Sequence, residues 1–339
     1  MANPNNITRA IIDATVDRGL RKIEEDPRRS IRKLTDMGRR FIKGRFLQDV
    51  YAIVQELLRD DDCPYYVAIE RLLRFTEKKA LKGFGINVGY NSLTFGAKII
   101  REEEKTQPYL IPWALMMRYN PMIPGSLTDA EIKELIRQGR QLGIYTYSIR
   151  CTGSLAALEK ITDIISGTKN SAFFAILPDQ EMTSEHFAMM RNCTNTIFLL
   201  PADSEYCEQN LKNMHRQKLL CGIYASYNDR NKDAFLSGRR SAELANLSAP
   251  FVIFIADDSC SPGTRNEMAR YCKATRLSAR YPYFLFDFYG DAIQVDHVVS
   301  SNACFCEVME NGDLHTQNGL INDFRHTQWS DKAGHHIYR

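Results

Sequence analysis

The sequence predicts an α/β protein whose central part is a full or partial, TIM-like (β/α) barrel. From about residue 112 to residue 290, short apolar runs recur at intervals of about 23–30 residues, and amphipathic helical patterns separate them. Parallel strands joined by right-handed helical crossovers lie beside their predecessors, so such a repeat favours a barrel, a partial barrel or a doubly wound sheet. No Gly-x-Gly-x-x-Gly follows the first run, which disfavours a dinucleotide-binding sheet.

Seven runs have the length and apolar character of buried strands: Trp113–Met117, Ile144–Ile149, Ala172–Leu177, Thr196–Leu200, Cys221–Tyr227, Phe251–Ala256 and Tyr283–Phe286. Two helix starts between them have a recognisable signal. Thr128 and Glu131 form the pattern of a capping box, in which each side chain accepts from the other's backbone N–H. Ser261 is followed by a proline, which the first turn of a helix tolerates. The pattern therefore predicts helices as crossovers.

The parts on either side of the barrel have different patterns, and we expect three segments: 1–107, 108–290 and 291–339. The first is helical by its apolar spacing, apart from Lys82–Tyr90, where three glycines predict a loop. Helices are expected to stop after Asp287, and an Asn-Gly pair at 311–312 predicts a small β-hairpin extension. The polar end, Gln328–Arg339, is predicted to be a loose tail.

Charge and composition exclude several classes of function. The 339 residues carry a net charge of +3, which is too small to indicate a polyanion partner for the whole chain. Residues 1–50 hold 12 Lys and Arg against 7 Asp and Glu. A solvated helix surface explains this excess, and we do not expect nucleic-acid binding. The polar start and the absence of an apolar run longer than about six residues predict a cytoplasmic protein with no membrane segment and with reduced cysteines.

An ordered set of landmarks resembles the radical S-adenosylmethionine family, in the subgroup with a C-terminal extension of the SPASM kind. The landmarks lie at the start of the first strand, at the start of the first helix, before the second strand, after the last strand and in the hairpin. They are Ile111–Ala114, Leu127–Thr128, Gln138–Gly139, Leu142–Tyr145, Asp287–Asp291 and Glu310–Asp313. The resemblance implies a (β/α) barrel that holds an iron–sulfur cluster and S-adenosylmethionine.

The residues that would perform this chemistry are missing. In the family, a Cys-x-x-x-Cys-x-x-Cys motif follows the first strand, whereas the loop 118–126 contains no cysteine and is too short for the motif. Cys151–Ser154 stands where a Gly-Gly-Glu-Pro segment would bind S-adenosylmethionine, and Leu314–Gln317 lacks the cysteine of an auxiliary cluster. We therefore expect a degenerate member, without radical chemistry, iron–sulfur cluster, S-adenosylmethionine or another cofactor.

Polar residues that follow the predicted strands form one candidate ligand-binding rim, because the carboxyl ends of barrel strands meet at one edge. Its members are Arg118, Tyr119, Arg150, Cys151, Asp179, Asp229, Asp257, Asp258 and Asp287. The carboxylates could bind a cation or act as acid and base, although Asp is also a common helix cap. The arginines and Tyr119 could receive a carboxylate or phosphate, and Cys151 is a nucleophile only if its pKa is lowered. Catalytic residues stay unassigned.

No metal site is predicted, although the C-terminal segment holds weak candidate ligands: His297, Cys304, Cys306 and His315. Two functions stay open. The first is a pseudoenzyme that binds a partner enzyme, a peptide or a small ligand, and the resemblance suggests an intact radical S-adenosylmethionine enzyme or its peptide substrate. The alternative is a repurposed, cluster-independent enzyme that uses the acidic rim, with or without a metal. Sequence leaves the oligomeric state open.

Overall fold

The computed structural model describes residues 6–22, 27–41, 45–107, 109–300, 302–316 and 319–321, so the predicted tail Gln328–Arg339 lies outside the described residues. The helices are α1 Asn6–Lys22, α2 Pro27–Phe41, α3 Arg45–Leu57, α4 Tyr65–Phe75, α5 Lys78–Ile86, α6 Ala97–Thr106, α7 Asp129–Gln141, α8 Leu158–Gly167, α9 Ser184–Met190, α10 Cys207–Arg216, α11 Lys232–Leu236, α12 Arg239–Leu244, α13 Pro262–Leu277 and α14 Phe288–Val299. The strands are β1 Ala114–Tyr119, β2 Thr146–Cys151, β3 Ala172–Ile176, β4 Thr196–Pro201, β5 Cys221–Tyr227, β6 Phe251–Ala256, β7 Phe284–Asp287, β8 Cys306–Val308, β9 Leu314–Thr316 and β10 Gly319–Ile321.

The prediction of an α/β fold with parallel strands and helical crossovers is confirmed. Each of the seven predicted apolar runs overlaps one of β1–β7. Thr128 and Glu131 form the expected capping box at the start of α7, and Ser261 caps α13 with a proline in the first turn. Among the described residues, none of the helices combines the length and apolarity that a membrane crossing requires.

The chain divides into two compact units. Unit 1 contains Lys79–Leu200 and the chain from Ala292 onward, and unit 2 contains Asn6–Lys78 and Pro201–Asp291. The predicted segments 1–107, 108–290 and 291–339 follow the chain in order, whereas each unit is assembled from separate stretches of it.

The sheet of unit 1 has the strand order β10-β9-β8-β1-β2-β3-β4. β1 pairs in parallel with β2 on one side and with β8 on the other. β8 pairs on its other side with the antiparallel strand β9, so the sheet ends in the hairpin next to β1 and is not closed there by a strand of the β/α repeat. The full TIM-like barrel of the sequence prediction is therefore wrong, and the open, partial alternative applies.

The glycine-rich segment Lys82–Tyr90 is helical, which corrects the predicted loop. α5 continues into a π-helical stretch at Asn87–Gly96. Buried amides fix this stretch, because Asn87 Nδ2 donates to the Ser171 carbonyl at 2.8 Å and Asn91 Nδ2 donates to the Asn170 carbonyl at 2.9 Å. These tertiary hydrogen bonds outweigh the low helix propensity of glycine.

The C-terminal part differs from the prediction at one point. The helix α14 begins directly after Asp287, where helices were expected to stop. The predicted hairpin is present, with β8 antiparallel to β9 around Gly312, which has a φ of 85°. A third short strand, β10, pairs with β9.

Unit 2 combines β5, β6 and β7, which pair in parallel, with the N-terminal helices α1–α4. The helices share an apolar core with the residues that follow α13, and Phe284 at the start of β7 packs against this core. Its buried members are Leu20, Ile31, Leu58, Cys63, Tyr65, Tyr66 and Ala279. The Tyr65 hydroxyl donates to the Arg276 carbonyl at 2.6 Å. The helices α1–α4 thus belong to the unit that carries four of the nine predicted rim residues.

Candidate functional site

The carboxyl ends of β1 and β2 lie side by side in unit 1 and carry four of the predicted rim residues. Arg118 is in register with Arg150, and Tyr119 is in register with Cys151. Successive side chains of a strand point to opposite faces, so each register pair shares one face. The Tyr119 hydroxyl donates to Asp129 at the start of α7 at 2.6 Å. Tyr119 and Cys151 therefore face the helix, and the two arginines face the other side.

Arg118 is held by Glu307 of β8, a residue that no sequence pattern singled out. Nε of Arg118 donates to Oε1 at 3.0 Å, and Nη2 donates to Oε2 at 3.2 Å. Only 9% of the arginine side chain and 7% of the glutamate side chain are exposed. A buried charge needs a partner, and the planar guanidinium binds a carboxylate through two parallel hydrogen bonds. The acidic residue in the middle of the buried Cys306–Val308 strand was the one available signal.

The loop after β1 is tied to the hairpin. Within the loop, Met122 N–H donates to Asn120 Oδ1 at 3.1 Å. At its end, Leu127 N–H donates to the Glu310 carbonyl at 2.7 Å, and the Thr152 hydroxyl donates to the Glu310 carboxylate at 2.6 Å. Glu310 therefore joins the loops that follow β1 and β2, where the resemblance would place cluster and cofactor ligands.

Arg150 and Asp179 differ from their neighbours because neither is engaged. Arg150 is half-buried and is in register with Ile176 of β3. Asp179 follows the same strand and is exposed. Within the described part of the chain, no hydrogen bond or ion pair satisfies either side chain. With Arg118 neutralised by Glu307, Arg150 is the cation at this edge that lacks a carboxylate partner among the described residues, and Asp179 is an exposed anion beside it in the sheet order.

Cys151 lies on the helix-facing side and is 4% exposed. Burial raises the pKa of its thiol to about 12, so the thiol is protonated at neutral pH. The pKa of Tyr119 is raised as well, first by burial and then by its hydrogen bond to Asp129. A protonated, buried thiol lacks the thiolate character that nucleophilic catalysis needs.

In unit 2, Asp229 follows β5 and binds Ser261, the residue that caps α13. It accepts from Ser261 N–H at 2.9 Å and from the hydroxyls of Ser261 and Thr264, each at 2.5 Å. These hydrogen bonds, those from the two hydroxyls foremost, lower the pKa of Asp229 to about 2. The carboxylate thus satisfies donors of the first helical turn, as a helix cap does.

Asp257 and Asp258 follow β6. Asp257 accepts from Asn228 Nδ2 at 2.6 Å and from the hydroxyl of Ser259 at 2.7 Å. Burial acts to raise the pKa of Asp257, but the hydrogen bonds from Ser259 and Asn228 outweigh it, and the pKa is lowered. Asp258 is exposed. Asp257 therefore ties the loops after β5 and β6 together.

Asp287 ends β7 and is 2% exposed. The hydroxyl of Tyr227 donates to Oδ2 at 2.7 Å, and Gly290 N–H donates to Oδ1 at 2.6 Å. Burial raises the pKa of Asp287 to about 6, although both hydrogen bonds act to lower it. Its proton equilibrium thus lies near neutrality, but donors of the protein itself occupy both oxygens.

The weak metal candidates do not come together. Cys304 and Cys306 are buried, whereas His297 and His315 are exposed. Across the described ranges, no three His, Cys, Asp or Glu side chains are grouped as metal ligands. Burial, together with the neighbouring Cys306, raises the pKa of Cys304 well above its usual value. Protonated thiols of this kind pack as small apolar groups.

No protein-family model and no curated protein matches this chain. Among solved structures, Streptococcus suis SuiB bound to S-adenosylmethionine is similar at 10% identity and a TM-score of 0.48, over 69% of this chain and 67% of that one. SuiB bound to the precursor peptide SuiA is similar at 10% identity and a TM-score of 0.44, over 63% and 61%. The 3-dehydroquinate dehydratase of Geobacillus kaustophilus gives 11% identity and a TM-score of 0.34, over 57% and 91%. The chain thus spans about two thirds of the length of the SuiB chains.

Proposed function

We propose that this protein is a non-catalytic, radical-SAM-like scaffold that binds a carboxylate-bearing partner at the carboxyl ends of β1 and β2. The observation that carries the proposal is Arg150, a half-buried guanidinium without a partner among the described residues. Guanidinium groups bind carboxylates through paired hydrogen bonds. Arg118, which is in register with Arg150, is already paired with Glu307. Arg150 therefore receives the ligand, and the role of Arg118 is to join β1 to β8.

The absence of catalysis is supported by what the rim residues do instead. Glu310 bridges the loops after β1 and β2, the thiol of Cys151 is buried and protonated, and Asp229 binds the helix-capping residue Ser261. Each group is thereby engaged within the protein itself. The missing Cys-x-x-x-Cys-x-x-Cys motif supports the same proposal, because the loop 118–126 contains no cysteine and is too short for the motif.

The partner that the resemblance suggests is an intact radical S-adenosylmethionine enzyme or its peptide substrate. A peptide supplies carboxylates from its C-terminus and from Asp or Glu side chains. One such carboxylate can pair with the guanidinium of Arg150. We expect the interaction to weaken with salt, because exposed charges are screened within about 10 Å at 0.1 M.

The experiment is fluorescence anisotropy with two labelled probes of equal length, one a Glu-rich peptide and the other its Gln-containing counterpart. We expect the wild type and Arg137→Gln to bind the acidic probe alike, and Arg150→Gln to bind it roughly tenfold more weakly. Arg137 is a matched control because it lies on α7 of the same unit and is paired with Glu134. Equal binding by Arg150→Gln would contradict the binding site.

A separate measurement addresses the non-catalytic part. The protein is purified without oxygen, incubated with iron and sulfide, and analysed for both elements. We expect no stoichiometric cluster. A four-iron cluster bound one to one would refute the proposal.

A second candidate, cluster-independent acid–base catalysis in unit 2, rests on Asp287 alone, because its pKa of about 6 suits proton transfer near neutrality. It requires a substrate to displace Tyr227 or Gly290 from the carboxylate. The test is elemental analysis combined with ligand binding in Asp257→Asn/Asp258→Asn and Asp287→Asn variants. Unchanged metal content and unchanged binding would count against this candidate.

A further inference from the structure

An open cleft lies within unit 2, between the C-terminal ends of α4 and α10 and beside the loop that leads into β5. Its volume is about 410 Å³, and it is lined by Arg74, Phe75, Lys212, His215, Arg216 and Lys218. Four of these six residues are Arg or Lys, and none is acidic. The volume lies in the range of small-molecule sites, which is about 300–1,000 Å³.

Most of the positive charge in this cleft is uncompensated. Lys212 pairs with Glu208 at 2.8 Å on the same helix. In contrast, Arg216 contacts only a neutral amide, at 3.4 Å, and Lys218 Nζ donates to the Arg74 carbonyl at 2.5 Å. Among the described residues, Arg74, Arg216 and Lys218 have no carboxylate partner.

The ends of helices explain part of this charge but not all of it. Arg216 is in the last turn of α10, and Arg74 is in the last turn of α4. The C-terminal end of a helix acts as roughly half a negative charge, which cations stabilise. Two helix ends therefore offset about one of the three unpaired charges, and the cleft stays attractive to an anion.

The apolar part of the cleft is a stacked ring pair. The rings of Phe75 and His215 are 4.2 Å apart and within 9° of parallel. His215 Nε2 is buried and has no hydrogen-bond partner among the described residues. Burial, with the charge of Arg71, lowers the pKa of His215 to about 4, so its ring is neutral at pH 7. The neutral ring therefore adds no charge to the cleft and contributes an aromatic face beside Phe75.

We propose that this cleft binds a small phosphate monoester, with the phosphate held by Arg74, Arg216 and Lys218 and the organic part beside Phe75 and His215. A phosphate monoester carries about −1.5 to −2 charges at pH 7, which matches the uncompensated positive charge better than a single carboxylate does. Guanidinium forks fit the phosphate oxygens in pairs. Nucleotides and sugar phosphates share this chemistry, and the experiment separates them.

The experiment is isothermal titration of the full chain with three probes: inorganic phosphate, ribose 5-phosphate and AMP. We expect both esters to bind more tightly than inorganic phosphate. A higher affinity for AMP than for ribose 5-phosphate identifies a nucleotide, because the base adds contact with the ring pair. Equal affinities for the two esters identify a sugar phosphate. A short single-stranded RNA is titrated as well. Binding of RNA without binding of either ester would overturn the proposal.

Variants assign the binding to the cleft. Arg74→Gln/Arg216→Gln removes two exposed charges and is expected to weaken binding by roughly tenfold for each guanidinium. Arg230→Gln/Arg239→Gln is the matched control, since both arginines are exposed, belong to the same unit and change the net charge equally. Circular dichroism verifies that both variants are folded. Equal affinity in the two variants, or no binding of any ester by the wild type, would refute the proposal.

Discussion

Replacing one partner of the Arg118–Glu307 pair is expected to destabilise unit 1 strongly. The two side chains are 9% and 7% exposed and share two hydrogen bonds, so a single substitution removes the counterion of a buried charge. Breaking such a pair costs about 3–5 kcal/mol of unfolding free energy. We expect a loss of this size for Glu307→Leu and for Arg118→Met.

The double variant Arg118→Met/Glu307→Leu distinguishes this cause from a mere loss of packing. Two apolar side chains of similar volume remove both charges together, and such replacements are often neutral. We therefore expect the double variant to be more stable than either single variant, by about 3 kcal/mol or more. Additive losses would refute the coupling between the two charges.

The assay is urea unfolding at pH 7, followed by circular dichroism and extrapolated linearly to water. Arg137→Met and Glu134→Leu provide the control, because these residues form an i,i+3 pair on α7 with side chains 43% and 46% exposed. An exposed pair of this kind contributes at most about 0.5 kcal/mol. If the buried and the exposed pair gave equal losses, burial would not determine the cost.

Three further measurements follow from buried groups and close contacts. Cys151 should resist iodoacetamide at pH 8 in the native protein and react after unfolding, because burial raises its pKa to about 12; mass spectrometry shows the labelled site. Asp287 binds its proton more tightly in the folded protein, so its contribution to stability is complete below about pH 4 and decreases by about 3 kcal/mol as the pH rises through 6. Urea unfolding at a series of pH values should show this decrease for the wild type and not for Asp287→Asn. Gly83→Ala should lower the melting temperature because its Cβ would lie 2.5 Å from the Thr194 carbonyl oxygen, whereas Gly85→Ala, with open space, should leave it equal or higher.

The strands were predictable because their signal is local. A run such as Phe251–Ala256 is apolar throughout and is buried at nearly every position, as a strand between two neighbours must be. Closure of the sheet was not predictable, because it depends on which strand reaches β1. β8 does so, and Arg118 and Glu307 are 189 residues apart in sequence. No local pattern contains that pairing.

The candidate site divides in the same way. Placement of the rim residues followed from one rule, that polar groups after parallel strands share an edge, and Arg118 and Arg150 are indeed in register. What each residue does depends on partners from distant segments: Ser261 for Asp229, Tyr227 for Asp287. The sequence did not predict the cleft between α4 and α10, because Arg74 and Arg216 lie on helices far apart in sequence and match no motif.

Glu307 also has a consequence for how the hairpin joins the sheet. β8 is three residues long, and backbone hydrogen bonds alone would specify its register weakly. A slip by one residue turns every side chain to the opposite face, which would move the Glu307 carboxylate away from Arg118 and break the buried ion pair. The ion pair therefore penalises the wrong register more than it stabilises the correct one. The correct register also places Glu310 against Thr152, so one buried pair fixes the edge at which Arg150 is presented.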